Sequence, residues 1–336
     1  MPQLGVGIVP GGALGSQLVA VTRRAFIPSL VVQLYKANPL LSLLLKNAQR
    51  ARGGVSQVTV PVQGQSFVSF AWAGYDGGFP QPVDNPAVQN AEFNLKLGVV
   101  PIPFLGMEAL IQSSETVIPL LKARLADAKT VCLQSMAGAL YTNNAALPLQ
   151  TDSLPMAYDS GTNVANYGGI NRAANTFWQS TLISAAGSVL SRTAFVKFVV
   201  QATQLAGGET PDMVVMSLSD WTTLMTDYMS LESFRTMPGT RYGADDVINA
   251  GFRGLSLADT AVFGDPFCPK GTAYLINTRY FALYLSEDAP FAFSGFHSAI
   301  PNLQIAEIGV LIIAFDVVCT KPVSGMQVTG ITGGAF

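Results

Sequence analysis

In the stretch "SETVIPLLKARLADAKTVCLQSMAGALYTNN", apolar residues recur at steps of three and four: Val117, Leu121, Leu125, Ala128, Cys132, Met136 and Leu140. On a helix this spacing stacks them into one stripe, so the segment predicts a helix of roughly seven turns with one buried side. Ser113 and Ser114 can cap its start, Asn143 and Asn144 can end it, and Arg124 can pair with Asp127 on the outer face. A helix of that length acts as a strut for everything packed on it.

Upstream the period changes from helical to alternating. "VSQVTVPV" and "AEFNLKLGVV" read as two strands of a long hairpin, and the Gly-, Pro- and Asn-rich connection between them carries Phe67, Phe70, Trp72, Tyr75 and Phe79. Loops of this length are uncommon inside compact domains unless they have a function. The five aromatics either fold back on their own chain or are covered by a second subunit.

Charge limits the choice. Charged residues make up 12% of the 336 residues while hydrophobic ones make up 49%, against about 25% charged in ordinary soluble domains. The surface is therefore poorly covered by charge. Disorder does not explain this, because large apolar residues run throughout. "LVVQLYKANPLLSLLLK" is broken by Lys36 and Pro39, and "IAEIGVLIIAFDVV" is bounded by Glu307 and Asp316, so neither gives the uninterrupted run of about 18 apolar residues that spans a membrane. The start "MPQLGVGIVPGG" lacks the basic and apolar parts of a secretory signal. Extensive self-association of an intracellular protein is the expectation.

Net charge is −2 but unevenly placed. Met1 to Tyr75 contains no acidic residue and carries Arg23, Arg24, Lys36, Lys46, Arg50 and Arg52, +6, whereas the remainder holds 13 basic and 21 acidic residues, −8. In a charge-poor chain this is either chance or the mark of a basic arm that meets an acidic neighbour or nucleic acid. The arm reads as one or two short helices interrupted at Pro28 and Pro39, with a sticky face from Leu40 to Leu45.

Beyond the strut, Pro148 to Gly169 reads as loop. "TFWQSTLISAAGSVLSRTAFVKFVVQATQLAGG" reads as one helix ending at Gly207-Gly208, "DMVVMS" as a buried strand and "LSDWTTLMTDYMSL" as a helix capped by Ser219. "TAVFGDPFCPKGTAYLINTRYFALYL" gives strands joined through a Pro-Lys-Gly turn, and long β segments close the chain. Cys132, Cys268 and Cys319 are odd in number and far apart, which predicts reduced core thiols.

Catalytic chemistry is hard to find. The one histidine, His297, has no nucleophile pattern around it, and there is no P-loop or G-x-G-x-x-G. Asp245 and Asp246 are adjacent and point apart on an extended segment, and no His, Cys, Asp and Glu are spaced for a metal. No enzyme activity, metal or cofactor is expected. The segment "YGGINRAANTFWQS" admits a phosphate loop, a substrate clamp or a hinge, with Arg172 as its one charge.

The order of parts resembles the major capsid proteins of tailed bacteriophages: a basic arm, an aromatic hairpin, a long helix ending near "MAGAL", then "PDMVVMSLSDW" followed by "PKGTAYLIN". The resemblance covers nearly the whole chain. It implies an α+β, Hong Kong 97-type capsid fold with an N-terminal arm at 1–52, an extended loop at 53–104, a peripheral domain with the spine helix at 105–180, an α/β axial domain at 181–294 and returning C-terminal strands at 295–336. It also implies a structural shell subunit forming pentamers and hexamers around double-stranded DNA, without a membrane, in a virion assembled in a bacterial cytoplasm. Portal, scaffolding and cement proteins are the further partners it implies. Encapsulin compartments share the fold and are the alternative within it. A surface or outer-membrane β protein is the alternative outside it.

On this resemblance Arg23, Arg24, Phe67, Phe70, Trp72, Tyr75, Phe79 and Arg172 are expected at contacts between subunits, Gly168 and Gly169 at a hinge, and Arg50 and Arg52 near weakly and non-specifically bound DNA. Two features depart from the family. No long charged segment precedes the arm, and no lysine lies between Gly53 and Ala91, where members that cross-link covalently use one.

Overall fold

The computed structural model describes residues 38–52, 54, 56–64, 66, 88–105, 114–229, 254–257, 260–298 and 306–332. The chain enters through helix α1 (Pro39–Lys46), where Asn38 Oδ1 accepts the Leu41 N–H at 2.8 Å. Pro39 was expected to interrupt a helix and instead opens one, because its missing N–H falls where a helix has no partner for it. Leu40, Leu41, Leu43 and Leu44 are buried.

Strand β1 (Gln49–Ala51) follows, then β2 (Gln57–Gln63) and β3 (Val88–Asn94), which form a two-stranded antiparallel ribbon. "AEFNLKLGVV" is not one strand: β3 ends at Asn94 and β4 (Lys96–Leu105) begins two residues later in a different sheet. Helix α2 (Ser114–Ala139) is the expected strut, and the Asn144 amide ends it by donating to the Ala139 carbonyl at 3.1 Å. Along its described part Leu125, Ala128, Cys132, Leu133, Met136 and Ala137 are buried, the spacing of a single helical face.

The region expected as loop contains a short helix α3 (Leu154–Ala157) and a small hairpin of β5 (Asn166–Tyr167) and β6 (Ile170–Asn171). The single helix expected from Thr176 to Gly208 is in fact three pieces: a 3-10 turn (Thr176–Trp178), strand β7 (Thr181–Ser184) and helix α4 (Arg192–Leu205). Ser191 caps α4, and Gly207 and Gly208, both at positive φ, close it by donating to Gln204 and Thr203 carbonyls. Strand β8 (Met213–Ser217) runs into helix α5 (Leu218–Met229), whose cap is Ser217 rather than Ser219: Ser217 Oγ accepts the Asp220 N–H. Then come β9 (Gly254–Leu257), β10 (Thr260–Asp265), β11 (Ala273–Ile276), β12 (Phe281–Ser298), β13 (Ala306–Cys319) and β14 (Met326–Thr329).

Two sheets organise these elements. One has the order β1-β12-β13-β4 and carries α2 on one face, with Ile102, Leu125, Ala128 and Phe293 packed between them. Strand β12 is longer than β13, and the surplus is taken up in bulges between Leu285 and Phe296. The other sheet has the order β7-β14-β11-β8-β10-β9. It is buried on both faces: Val214, Met216, Val262 and Leu275 point to the core under α4 and α5. Met213, Val215, Phe263 and Tyr274 point to the core shared with α1 and the end of α2. This is why "MVVMS" is apolar without alternation. The three cysteines are buried free thiols.

Because β11 is a shared wall, Leu275→Ala is expected to cost about 2–5 kcal/mol and to lower both cores together. Urea unfolding followed by circular dichroism and tryptophan fluorescence should stay coincident. Two separated transitions would show that the cores melt independently.

Candidate functional site: the root of the extended loop and the exposed surfaces

In the loop around Arg172 the charged side chains Asp159 and Arg172 are buried. Asp159 Oδ2 accepts the N–H groups of Gly161, Asn163 and Val164 at 2.8, 3.1 and 2.9 Å, and Oδ1 accepts the Asn163 amide at 2.9 Å. Burial works to raise this carboxyl, but those hydrogen bonds outweigh it and hold it below the ordinary aspartate value.

Arg172 was expected at a contact between subunits, and the structure overturns this. Its residue exposure is 0%. Nε donates to the Trp178 carbonyl at 3.2 Å, Nη1 to Val164 at 3.2 Å, and Nη2 to Met156 and Ala157 at 2.8 Å each. Two of these carbonyls are the open end of α3, which has no further turn to satisfy them. Asp159 lies 3.9 Å from Nη1. Burial lowers the guanidinium's pKa, and Tyr167 and Asp159 oppose that. Arg172 is an internal clamp with no face left for a neighbour.

The clamp carries an aromatic ladder. The guanidinium sits 5.1 Å from the Tyr167 ring centre, and Tyr167 meets Phe93 at 5.2 Å and Trp178 at 6.0 Å. Trp178 Nε1 donates to the Tyr167 carbonyl, and the Tyr167 hydroxyl accepts the Cys319 N–H from β13, both at 2.9 Å. Phe93 belongs to the ribbon, where Val58 pairs with Phe93, Val60 with Ala91 and Val62 with Gln89. Ala91 and Phe93 are buried, while Thr59, Pro61, Asn90 and Glu92 on the other face are open or partly open. One face of the ribbon thus lies on the ladder.

Gly168 and Gly169 were expected as a flexible joint. They have φ of +56° and +75° and form the two-residue turn of the β5–β6 hairpin, which requires positive φ at both positions. The turn is held in place: Gly168 accepts the Glu92 N–H at 2.9 Å, and a Cβ there would stand 2.7 Å from Phe93 Cζ. The pair is a clamped turn that seats the ribbon. Phe177 completes the seat under Gly64, where a Cβ would collide with its ring.

The remaining expected residues divide by position. Arg23, Arg24, Phe67, Phe70, Trp72, Tyr75 and Phe79 lie outside the described residues. Arg50 and Arg52 are exposed at β1 and just after it. Two apolar surfaces were not singled out from sequence. On β4, Leu97 is 61% and Val99 50% exposed, and Pro101 and Pro103 continue the row on the same face. Val196 and Val200 project from α4. The signal for the first was present: "KLGVVPIPFL" alternates with apolar residues on both faces, which a half-solvated strand does not need. As the outermost described strand of its sheet, β4 has no N–H to offer at Pro101 or Pro103, and Arg124 Nη1 takes the Pro103 carbonyl at 2.7 Å. Among the described residues no group of three metal-ligating side chains occurs, and no helix is long and apolar enough to cross a membrane.

With two sheets, a strut helix and a seated ribbon, the chain superposes on solved capsid and encapsulin chains over most of its length. A cyanophage A-1(L) capsid chain superposes with a TM-score of 0.66 at 14% identity, over 88% of this chain and 94% of that one. The fold is the tailed-phage capsid fold. The capsid chain of Myoviridae phage XM1 matches with a TM-score of 0.53 at 12% identity, over 85% and 91% of the two chains. The SrpI encapsulin of Synechococcus elongatus PCC 7942 matches with 0.55 at 7% identity, over 87% and 88%. No family model and no curated protein matches the sequence.

Replacing Arg172 by Met leaves four carbonyls without their donor and the buried Asp159 without its counter-charge, and is expected to cost about 3–5 kcal/mol. Arg172→Lys should recover little, because one ammonium cannot reach carbonyls that diverge around a planar fork. Equilibrium urea denaturation of the full chain measures both. A loss below about 1 kcal/mol for the Met variant would remove the clamp role.

Proposed function

We propose that the chain is the shell subunit of an icosahedral capsid that encloses double-stranded DNA, assembled from pentamers and hexamers of itself in a bacterial cytoplasm. The observation that carries this reading is the superposition on the cyanophage capsid chain across nearly the full length of both molecules. Its part is structural, without catalysis, metal or cofactor. The seated ribbon supports the mechanism: a loop held rigidly at its root can project its far end onto another copy without losing its own fold. Phe67, Phe70, Trp72, Tyr75 and Phe79 are then the residues that a neighbouring subunit buries, and the basic arm with Arg23 and Arg24 meets acidic surface on another copy. Arg50 and Arg52 face packaged DNA through weak, non-specific contacts. Portal, scaffolding and cement proteins complete the particle.

The encapsulin match gives the second reading, a compartment around a cargo protein. Electron microscopy of particles purified from producing cells separates the two. Closed shells holding DNA support the capsid, shells holding a cargo protein support the compartment, and monomers alone sink both.

If the shell is a capsid, it is held without covalent links, because the extended loop from Gly53 to Ala91 has no lysine. Particles boiled in detergent under reducing conditions should run as one band at the monomer mass. A ladder of multimers would contradict this.

A further inference from the structure

Strand β13 carries an aspartate where its sheet is closed to water. Asp316 is 0% exposed. Its Oδ1 is crowded with donors: the Thr151 hydroxyl, the Asp152 N–H and the Val317 N–H, each at 2.9 Å. Its Oδ2 is equally buried and has no hydrogen-bond partner among the described residues. A buried carboxylate oxygen left this way is unfavourable unless something donates to it.

The segment that supplies two of these donors also carries a second acid, Asp152. The Asp152 N–H is bound to Asp316, 164 residues away in sequence, and the half-buried Asp152 carboxyl is near enough for the Asp316 charge to act on it. The other charged or titratable groups that face the two act from several elements. Lys96 stands at the start of β4, paired in register with Phe315, and its charge favours ionisation of both acids. Arg172 does the same for Asp152 from the clamp. Tyr167 feels both carboxylates, and Tyr284 of β12 is the register partner of Asp316. None of these makes a hydrogen bond or ion pair to either carboxylate among the described residues.

We propose that Asp152 and Asp316 share one proton, the Asp152 hydroxyl donating to Asp316 Oδ2, and that this bond latches the segment after the strut helix onto strand β13. The latch belongs to the chain's own fold and does not depend on the shell reading. Proton affinities agree with the geometry. Burial and then the Asp316 charge push Asp152 up to about 7, and burial pushes Asp316 up to about 6 against the pull of its three donors. Both acids hold protons more tightly folded than unfolded. The stability they add is therefore complete below the ordinary aspartate value of 3.8 and is lost as pH rises through about 6 and 7. Near pH 6 to 7 the pair carries about one proton, and above that two carboxylates face each other.

Thermal unfolding of the full chain between about pH 5 and about pH 8 tests this. The unmodified protein should lose several degrees as pH rises. Asp152→Asn places a permanent amide donor at Oδ2 and should flatten much of that loss. Asp265, raised by burial to about 6, adds the same slope to both proteins, so the gap between the two curves is the readout. Should Asp152→Asn not fold, Asp316→Asn removes the second charge and should flatten the curve in the same way. Parallel curves for the unmodified protein and a folded variant would overturn the shared proton.

Discussion

A guanidinium without water has to be answered by protein on every side, and the Arg172 site is built around that requirement. Four carbonyls and one hydrogen-bonded carboxylate converge on it from residues that no regular element would otherwise hold together. Once they converge, residues 156–180 are tied together from within. Tyr167 and Trp178 take their positions from that segment, and Phe93 and the ribbon take theirs from Tyr167 and Trp178. The order of dependence runs from one buried charge to the seat of the β2–β3 ribbon.

The parts legible in sequence are those whose burial leaves a pattern along a single element. The strut announced itself from Leu125 to Leu140 because one helical face is buried and the other is open. Strand β8 was legible for the opposite reason, being apolar at every position because cores lie on both sides. The stretch from Thr176 to Gly208 misled because "TLIS" is too short to show alternation, and its signals of a break, Gly187 at positive φ and Ser191 at the cap, are weak next to the long helix that follows. Arg172 misled because a cation among glycines and asparagines has the composition of a surface turn. Its partners lie up to 16 residues away in chain positions with no pattern, and what they contribute is backbone, which sequence does not mark. The Asp152 and Asp316 pair was invisible for the same reason at far greater separation.

The capsid fold also makes sense of the shortage of charge. A chain with 12% charged residues leaves apolar surface on β4 and α4 even after both cores are filled. A monomer that stays alone in water gains nothing from such rows, and contiguous ones invite association. The fold keeps these residues on regular elements with fixed spacing, so the surplus is arranged as faces and not scattered.

The prolines on β4 set the character of any association along that edge. With no N–H at Pro101 or Pro103 and the Pro103 carbonyl already taken by Arg124, the strand cannot be extended by a backbone ladder at those positions. Contact there has to pass through side chains, whose packing tolerates small changes of tilt that a ladder of hydrogen bonds does not. A row of Leu97, Val99 and two prolines offers packing surface without a ladder to fix its register.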